Sequence, residues 1–301
     1  MKKVRIKKNL LHLSIFMNFV LLFYFIKFMP VFTYRGISRC MGSLVFFLMA
    51  STRQRVLKNL RIAYGPGLKP EERRRITMDL FYYTILSFCD LVRVTKISDE
   101  KLFASVHIEG EEKLRAALLK GNGAVGVCSH MGNFPLVETV LVKKGYPANV
   151  IVKDPTAEYF AKFCRKLALS ENVPYISKKD IRSAVEEARI WISKKRGLLS
   201  FYLDQHASSG VIVNFFGKKV SAPTGAAVFA RKYDAPALGV FSYRMKNGRH
   251  RIIIEGPYSL QKTGNQQEDL KYNTALFMER VEYYVKVCPE QWFSWLHRRF
   301  R

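Results

Sequence analysis

Residues 124–140, AVGVCSHMGNFPLVETV, leave the chain fewer options than any other stretch. The unbroken apolar run at 124–128 reads as an inner strand of a sheet covered on both faces. It breaks at Ser129-His130, passes through Met131-Gly132-Asn133, and resumes with Phe134, Leu136, Val137 and Val140, which can continue as a helix. Strand, glycine-containing turn and helix in that order put His130 at the strand's carboxyl end, the edge where open α/β sheets bind ligands. A histidine there either acts as a general base near neutral pH or merely hydrogen-bonds its own turn. The stretch alone leaves both open.

From residue 106 onward strands and helices alternate. Runs at 106–109, 148–152, 173–176, 198–203, 237–243 and 251–255 read as strands, and 111–120, 157–168, 224–232 and 269–286 as helices. Asp180 is placed to cap a further helix whose buried stripe is Ile181, Ala184, Val185, Ala188, Trp191 and Ile192, with Gly197 as its stop. The expectation is an α/β fold with a mostly parallel central sheet flanked by helices, residues 51–301 forming a single domain. Its first part, residues 51–95, reads as a basic helical shoulder in which Pro70, Glu71 and Glu72 open a helix.

Residues 1–50 precede this domain. The first nine carry five basic side chains and no acid, and in residues 10–34 the only formal charge is Lys27. As a helix that second stretch extends about 37 Å, against a bilayer core of roughly 30 Å. No small-x-small cleavage site follows, so the expectation is a retained N-terminal membrane-anchoring helix, single-span or monotopic, and not a signal peptide. Arg35, Arg39, Arg53, Arg55, Lys58 and Arg61 come after it, which by the positive-inside rule leaves the main body in the cytoplasm. A second apolar patch at 41–50 is too short to span.

The formal net charge of +26, from 50 basic and 24 acidic residues, asks for a polyanionic neighbour. Nucleic acid, an anionic membrane surface, an acidic carrier protein and a phosphorylated substrate all qualify, but no nucleic-acid-binding module is visible. The five cysteines form no CxxC pair and no zinc spacing, pointing to a reduced compartment and no metal. GNGAVG at 121–126 matches GxGxxG but precedes a strand, so it is not a dinucleotide fingerprint. No GxSxG, Walker A or zincin motif occurs.

Three polar groups fall at the carboxyl edge of the expected sheet: His130, Arg182 in the first turn of the helix that Asp180 caps, and Asp204 at the end of the 198–203 strand. A base, a cation and a carboxylate there suit acyl or phosphoryl chemistry on an anionic substrate. An ordinary structural ion pair between Arg182 and Asp204 is the competing reading.

Several blocks resemble the bacterial lipid A late acyltransferases of the lysophospholipid acyltransferase superfamily. Ser129-His130-Met-Gly-Asn133-Phe is similar to that family's (G/S)HxGNW block, and Asp180-Ile-Arg182 to its arginine segment. Asp204-Gln205, Val213-Asn-Phe-Phe-Gly217 and Ala222-Pro-Thr224-Gly225 resemble its DQ…FFG…PTG run. Pro289-Glu-Gln-Trp292-Phe-Ser-Trp295-Leu-His-Arg298-Arg299 is close to its closing PEQWxWxHRR block, and the segment from Arg55 to Tyr64 to its early NLxxAF segment. The likeness runs from about residue 50 to the end in matching order.

The resemblance implies a transferase at the cytoplasmic side of the cell inner membrane, with no cofactor. It would move a fatty acyl chain from acyl carrier protein, or from acyl-CoA, to a hydroxyl of a phosphorylated lipid A precursor or related glycolipid. His130 would be the general base, and Asn133, Arg182, Gln205, Thr224, Gly225 and Arg298 the substrate-binding positions. Acyl carrier protein, an anionic lipid acceptor and the membrane are the implied partners.

One departure stands out. The family motif places an acid five positions after the histidine, and here that position is Pro135. Glu138, three residues on and on the same helical face, and Asp204 are the two candidates for the carboxylate's role. The departure also leaves open a different acceptor, such as an aminolipid, or a binding relative without catalysis.

Overall fold

The computed structural model describes residues 2–155 and 158–300, with side chains from residue 14 on apart from 15 and 31. The chain opens with helices α1 (Lys2–Phe28), α2 (Tyr34–Leu48), α3 (Ala50–Tyr64) and α4 (Pro70–Val94), then a short α5 (Asp99–Ala104). Alternation follows: β1 (Val106–Glu109), α6 (Glu111–Leu119), β2 (Ala124–Cys128), α7 (Phe134–Lys143), β3 (Ala148–Val152), α8 (Glu158–Ser170), β4 (Tyr175–Ser177), α9 (Ile181–Ser193) and β5 (Leu198–Tyr202). A hairpin of β6 (Val211–Phe215) and β7 (Lys218–Ala222) precedes α10 (Gly225–Tyr233), β8 (Ala237–Arg244), β9 (His250–Glu255) and α11 (Gln266–Val287). Of the helix expected at 157–168, Ala157 lies outside the described residues.

Seven strands form one sheet in the order β1-β9-β8-β2-β5-β3-β4, parallel except between β8 and β9. All five residues of the central β2 are buried. Val125 and Val127 pack into the layer that holds Ala188 and Ile192 of α9, Ala226 of α10 and Phe277 of α11. Ala124 and Cys128 pack into the opposite layer, with Leu114 of α6 and Val137, Val140 and Leu141 of α7. Successive strand side chains point to opposite faces, so a sheet covered on both requires an unbroken apolar run. The α/β architecture and the mostly parallel sheet are as the sequence led one to expect.

The β6–β7 hairpin is an addition. Phe216 and Gly217 take φ of +52° and +67° at its tip, the left-handed pair that lets a two-residue turn follow the twist of its strands.

The N-terminal expectation is overturned. Among the described residues no helix is long and apolar enough to cross a membrane. The apolar stretch at 10–34 is divided: α1 ends at Phe28, a 3-10 turn spans Val31–Thr33, and α2 begins at Tyr34. Pro30 cannot supply the N–H that would continue α1. The inner face of α1 is used within the molecule. Phe23 and Ile26 are buried with Leu86, Cys89 and Val92 of α4, and the Phe19 ring lies 5.0–5.5 Å from Phe88, Phe160 and Phe163. The membrane-anchoring helix fails on that finding, and so does the inner-membrane location inferred from it.

Candidate active site

β2 and β5 are neighbours in parallel register, Cys128 opposite Tyr202. Their carboxyl ends therefore deliver His130 and Asp204 side by side. His130 Nδ1 lies 2.7 Å from Asp204 Oδ1, and the His130 backbone N–H donates to Oδ2 at 2.9 Å. Two further donors reach Oδ2: Trp292 Nε1 at 2.7 Å and Ser294 Oγ at 2.8 Å. Asp204 is fully buried. Burial by itself would raise its pKa, but the imidazole, the backbone N–H and Trp292 hold it down at about 2. An ionised carboxylate only accepts, so the hydrogen of a neutral His130 sits on Nδ1 and Nε2 carries the free lone pair. The ring is fixed laterally by Tyr202 and Phe134, with centroids at 4.6 Å and 4.8 Å.

The loop that carries His130 is stitched to the end of the chain. Phe293 N–H donates to the His130 carbonyl at 2.8 Å and Gly132 N–H to the Gln291 carbonyl at 2.9 Å, while Met131 bridges Trp292. Gly132 has φ +59°, and a Cβ there would stand 2.6 Å from the Ser242 carbonyl oxygen and Tyr243 Cα. The closing segment is held in turn by α3: Asn59 Nδ2 donates to the carbonyls of Trp295 and His297, both at 2.8 Å, and Arg55 to that of Leu296.

α7 begins at Phe134 with Pro135 in its first turn and Asn133 as N-cap. Proline costs little there, because its absent N–H would have been unpaired. Position 135 thus presents a ring to the interior and no carboxylate. Glu138, one turn on, is buried, and its oxygens lie 3.4 and 3.5 Å from the Tyr202 hydroxyl instead of on the imidazole. Burial pushes its pKa up to about 7.

The remaining expected positions scatter. Asn133 is buried, donates to the Ser87 carbonyl at 3.4 Å and leaves its Oδ1 without a partner. Gln205 follows Asp204 and is half-buried, and Thr224 and Gly225 open α10, where a Cβ on Gly225 would touch the Phe201 ring at 3.0 Å. Arg298, near the end of the closing segment, is exposed. Arg182 is exposed in the first turn of α9, beside the edge strand β4, and among the described residues makes no ion pair with Asp204. Sequence reasoning did not assign roles to Trp292 and Ser294 at Asp204, or to Tyr202 and Phe134 against the imidazole. The one available signal was the pair of tryptophans in the closing block, since a buried indole N–H needs an acceptor.

A cavity of about 350 Å³ opens beside the imidazole's neighbours Phe134 and Tyr202 and runs between α4, α7, β3 and α8, walled by Leu91, Val94, Pro135, Val150 and Leu167. Its size and apolar lining suit a small hydrophobic ligand. A larger cavity, about 820 Å³, lies apart from His130 between α2, α3 and α4, and Arg53, Lys58, Arg61, Arg73 and Arg74 line it. An imidazole with a free Nε2, backed by a buried carboxylate and set beside an apolar cavity, can take a proton from a hydroxyl while a hydrophobic chain is held nearby.

The family model described as bacterial lipid A biosynthesis acyltransferase matches residues 3–301. No curated protein matches the chain.

Proposed function

From the premise that the chain belongs to the bacterial lipid A biosynthesis acyltransferase family, and so is an acyltransferase, we propose that His130 is the general base of an O-acyl transfer. Nε2 takes the proton of an acceptor hydroxyl as its oxygen attacks the carbonyl carbon of an acyl thioester. The tetrahedral intermediate then expels the thiolate, which collects that proton from the imidazolium. Asp204 orients the ring and stabilises its charged form, filling the carboxylate's role that Pro135 leaves vacant. Glu138 faces the apolar cavity, which holds the acyl chain of the donor.

The observation that carries this reading is the His130–Asp204 pair, with Trp292 and Ser294 fixing the carboxylate. The charge of +26 supports an acidic acyl carrier protein as donor and a phosphorylated lipid as acceptor. In the test, purified protein is given acyl carrier thioester and phosphorylated glycolipid acceptors, and the products are read by mass spectrometry. Wild type should add one acyl chain to the acceptor and His130→Ala should add none. Equal transfer by a folded His130→Ala protein would remove His130 from the chemistry. Use of acyl-CoA in preference to the carrier thioester would overturn the donor assignment alone.

A further inference from the structure

Glu138 is an anomaly in the wall of the apolar cavity. It is 2% exposed, makes no ion pair among the described residues, and meets Tyr202 Oη at 3.4 and 3.5 Å, long for hydrogen bonds. Tyr202 has one hydroxyl hydrogen and a second acceptor near it, the Phe134 carbonyl at 3.3 Å, so it cannot donate fully to both. The carboxyl is therefore buried among weak partners, the shared Tyr202 hydroxyl and the Ser200 hydroxyl. The cavity around it is walled mainly by apolar side chains, Leu91, Val94, Pro135 and Val150 among them, with Lys153, Asp154 and Glu171 also in its lining. Burying a polar group without a good partner is costly, and a plain hydrocarbon in this cavity would offer the carboxyl no hydrogen bond.

Resting on the reading that this cavity takes the donor's chain, we propose that the preferred donor is a hydroxylated fatty acyl thioester, whose hydroxyl is received by Glu138 and Tyr202. The position of that hydroxyl follows from the geometry. The reacting carbonyl must lie beside His130, whose ring packs on Tyr202 at 4.6 Å, and the Tyr202 hydroxyl adjoins Glu138. A chain leaving the carbonyl past Phe134 and Tyr202 meets this polar spot within its first few carbons. The elevated pKa of Glu138, about 7, keeps its neutral acid form accessible, which can donate as well as accept.

A site built to hydrogen-bond a substrate hydroxyl rejects the analogue lacking it far more strongly than an apolar pocket rejects an added hydroxyl. The experiment compares 2-hydroxyacyl, 3-hydroxyacyl and unsubstituted acyl carrier thioesters of equal chain length on wild type, Glu138→Gln and Glu138→Leu. Wild type should favour one hydroxylated donor by about tenfold or more in kcat/KM. Glu138→Leu should bring the ratio to one or below, and Glu138→Gln should keep part of it. In parallel, displacement of a fluorescent fatty acid by hydroxylated and plain free acids reads the cavity without turnover. A hydroxyl preference in displacement that Glu138→Leu removes supports the proposal even if transfer itself fails. No preference in wild type, or one that Glu138→Leu leaves unchanged, overturns it whether or not the chain is transferred.

Discussion

Asp204 accepts from a backbone N–H, an indole and a hydroxyl and faces the imidazole as well, so a single amide substitution disturbs several bonds at once. Asp204→Asn cannot keep the Nδ1–H tautomer of His130 and accept from all of these donors. We expect it to lower kcat by about 10²–10⁴, with KM for the donor much less affected, as steady-state kinetics would show. A fully active Asp204→Asn protein would return the orienting role to Glu138. Glu138 yields a separate prediction. Its pKa rises on folding from an ordinary 4.5 to about 7, so the folded state binds the proton more tightly. The stabilisation is complete below about pH 4.5 and is lost as pH rises through 7. Relative to Glu138→Gln, wild type should lose stability across that window, of the order of a few kcal/mol at most, seen as a falling melting temperature. Parallel melting curves of the two proteins at every pH would exclude the shift.

At the scale of elements, the site depends on one turn between β2 and α7 and on its attachment to the closing segment. Gly132 sits where φ is +59° and where a Cβ would strike the β8 backbone at 2.6 Å. Gly132→Ala should therefore displace the loop that sets His130, lower the melting temperature and abolish most transfer. Thermal unfolding together with an activity assay checks this, and a Gly132→Ala protein of normal stability and rate would show that the loop yields without consequence. α7 shows the opposite case. Pro135 is accepted at its start because that N–H lacks a partner in any helix, so the missing acid leaves the element intact and alters only what it presents to the cavity.

Over the whole molecule the excess of cations has a focus. Arg53, Lys58, Arg61, Arg73 and Arg74 surround the cavity of about 820 Å³, and among the described residues no acidic side chain lines it. Transfer from an acidic carrier protein should therefore weaken as salt is added, because attraction between exposed charges is screened over about 8 Å at physiological ionic strength. We expect the loss in KM for the carrier thioester with kcat nearly constant. A KM unchanged between low and high salt would mean that the charge does not recruit the donor. The N-terminal helix belongs to this scale too. Its apolar residues are spent partly on Leu86, Cys89 and Val92 of α4, contacts separated by some sixty residues and invisible to a hydropathy profile.

What the sequence determined by itself rests on local pattern. The buried run of β2 announced a sheet covered on both faces, and Asp180 announced the start of α9, where its carboxylate accepts from Ser183 N–H at 3.0 Å. The order strand, turn, helix also placed His130 and Asp204 at the same sheet edge. A local pattern could not choose between Glu138 and Asp204 as the imidazole's partner, because both are within reach on an idealised layout. The parallel register of β2 with β5, which sets Cys128 opposite Tyr202, decided the geometry in favour of Asp204. Packing likewise brought Trp292 and Ser294 to the carboxylate from 88 and 90 residues away. Arg182, exposed in the first turn of α9, makes no ion pair with Asp204 among the described residues. Periodicity and capping are short-range and written in neighbouring residues. Strand order and the closure of the chain's end over the site arise from contacts between distant segments, and only the tertiary structure contains them.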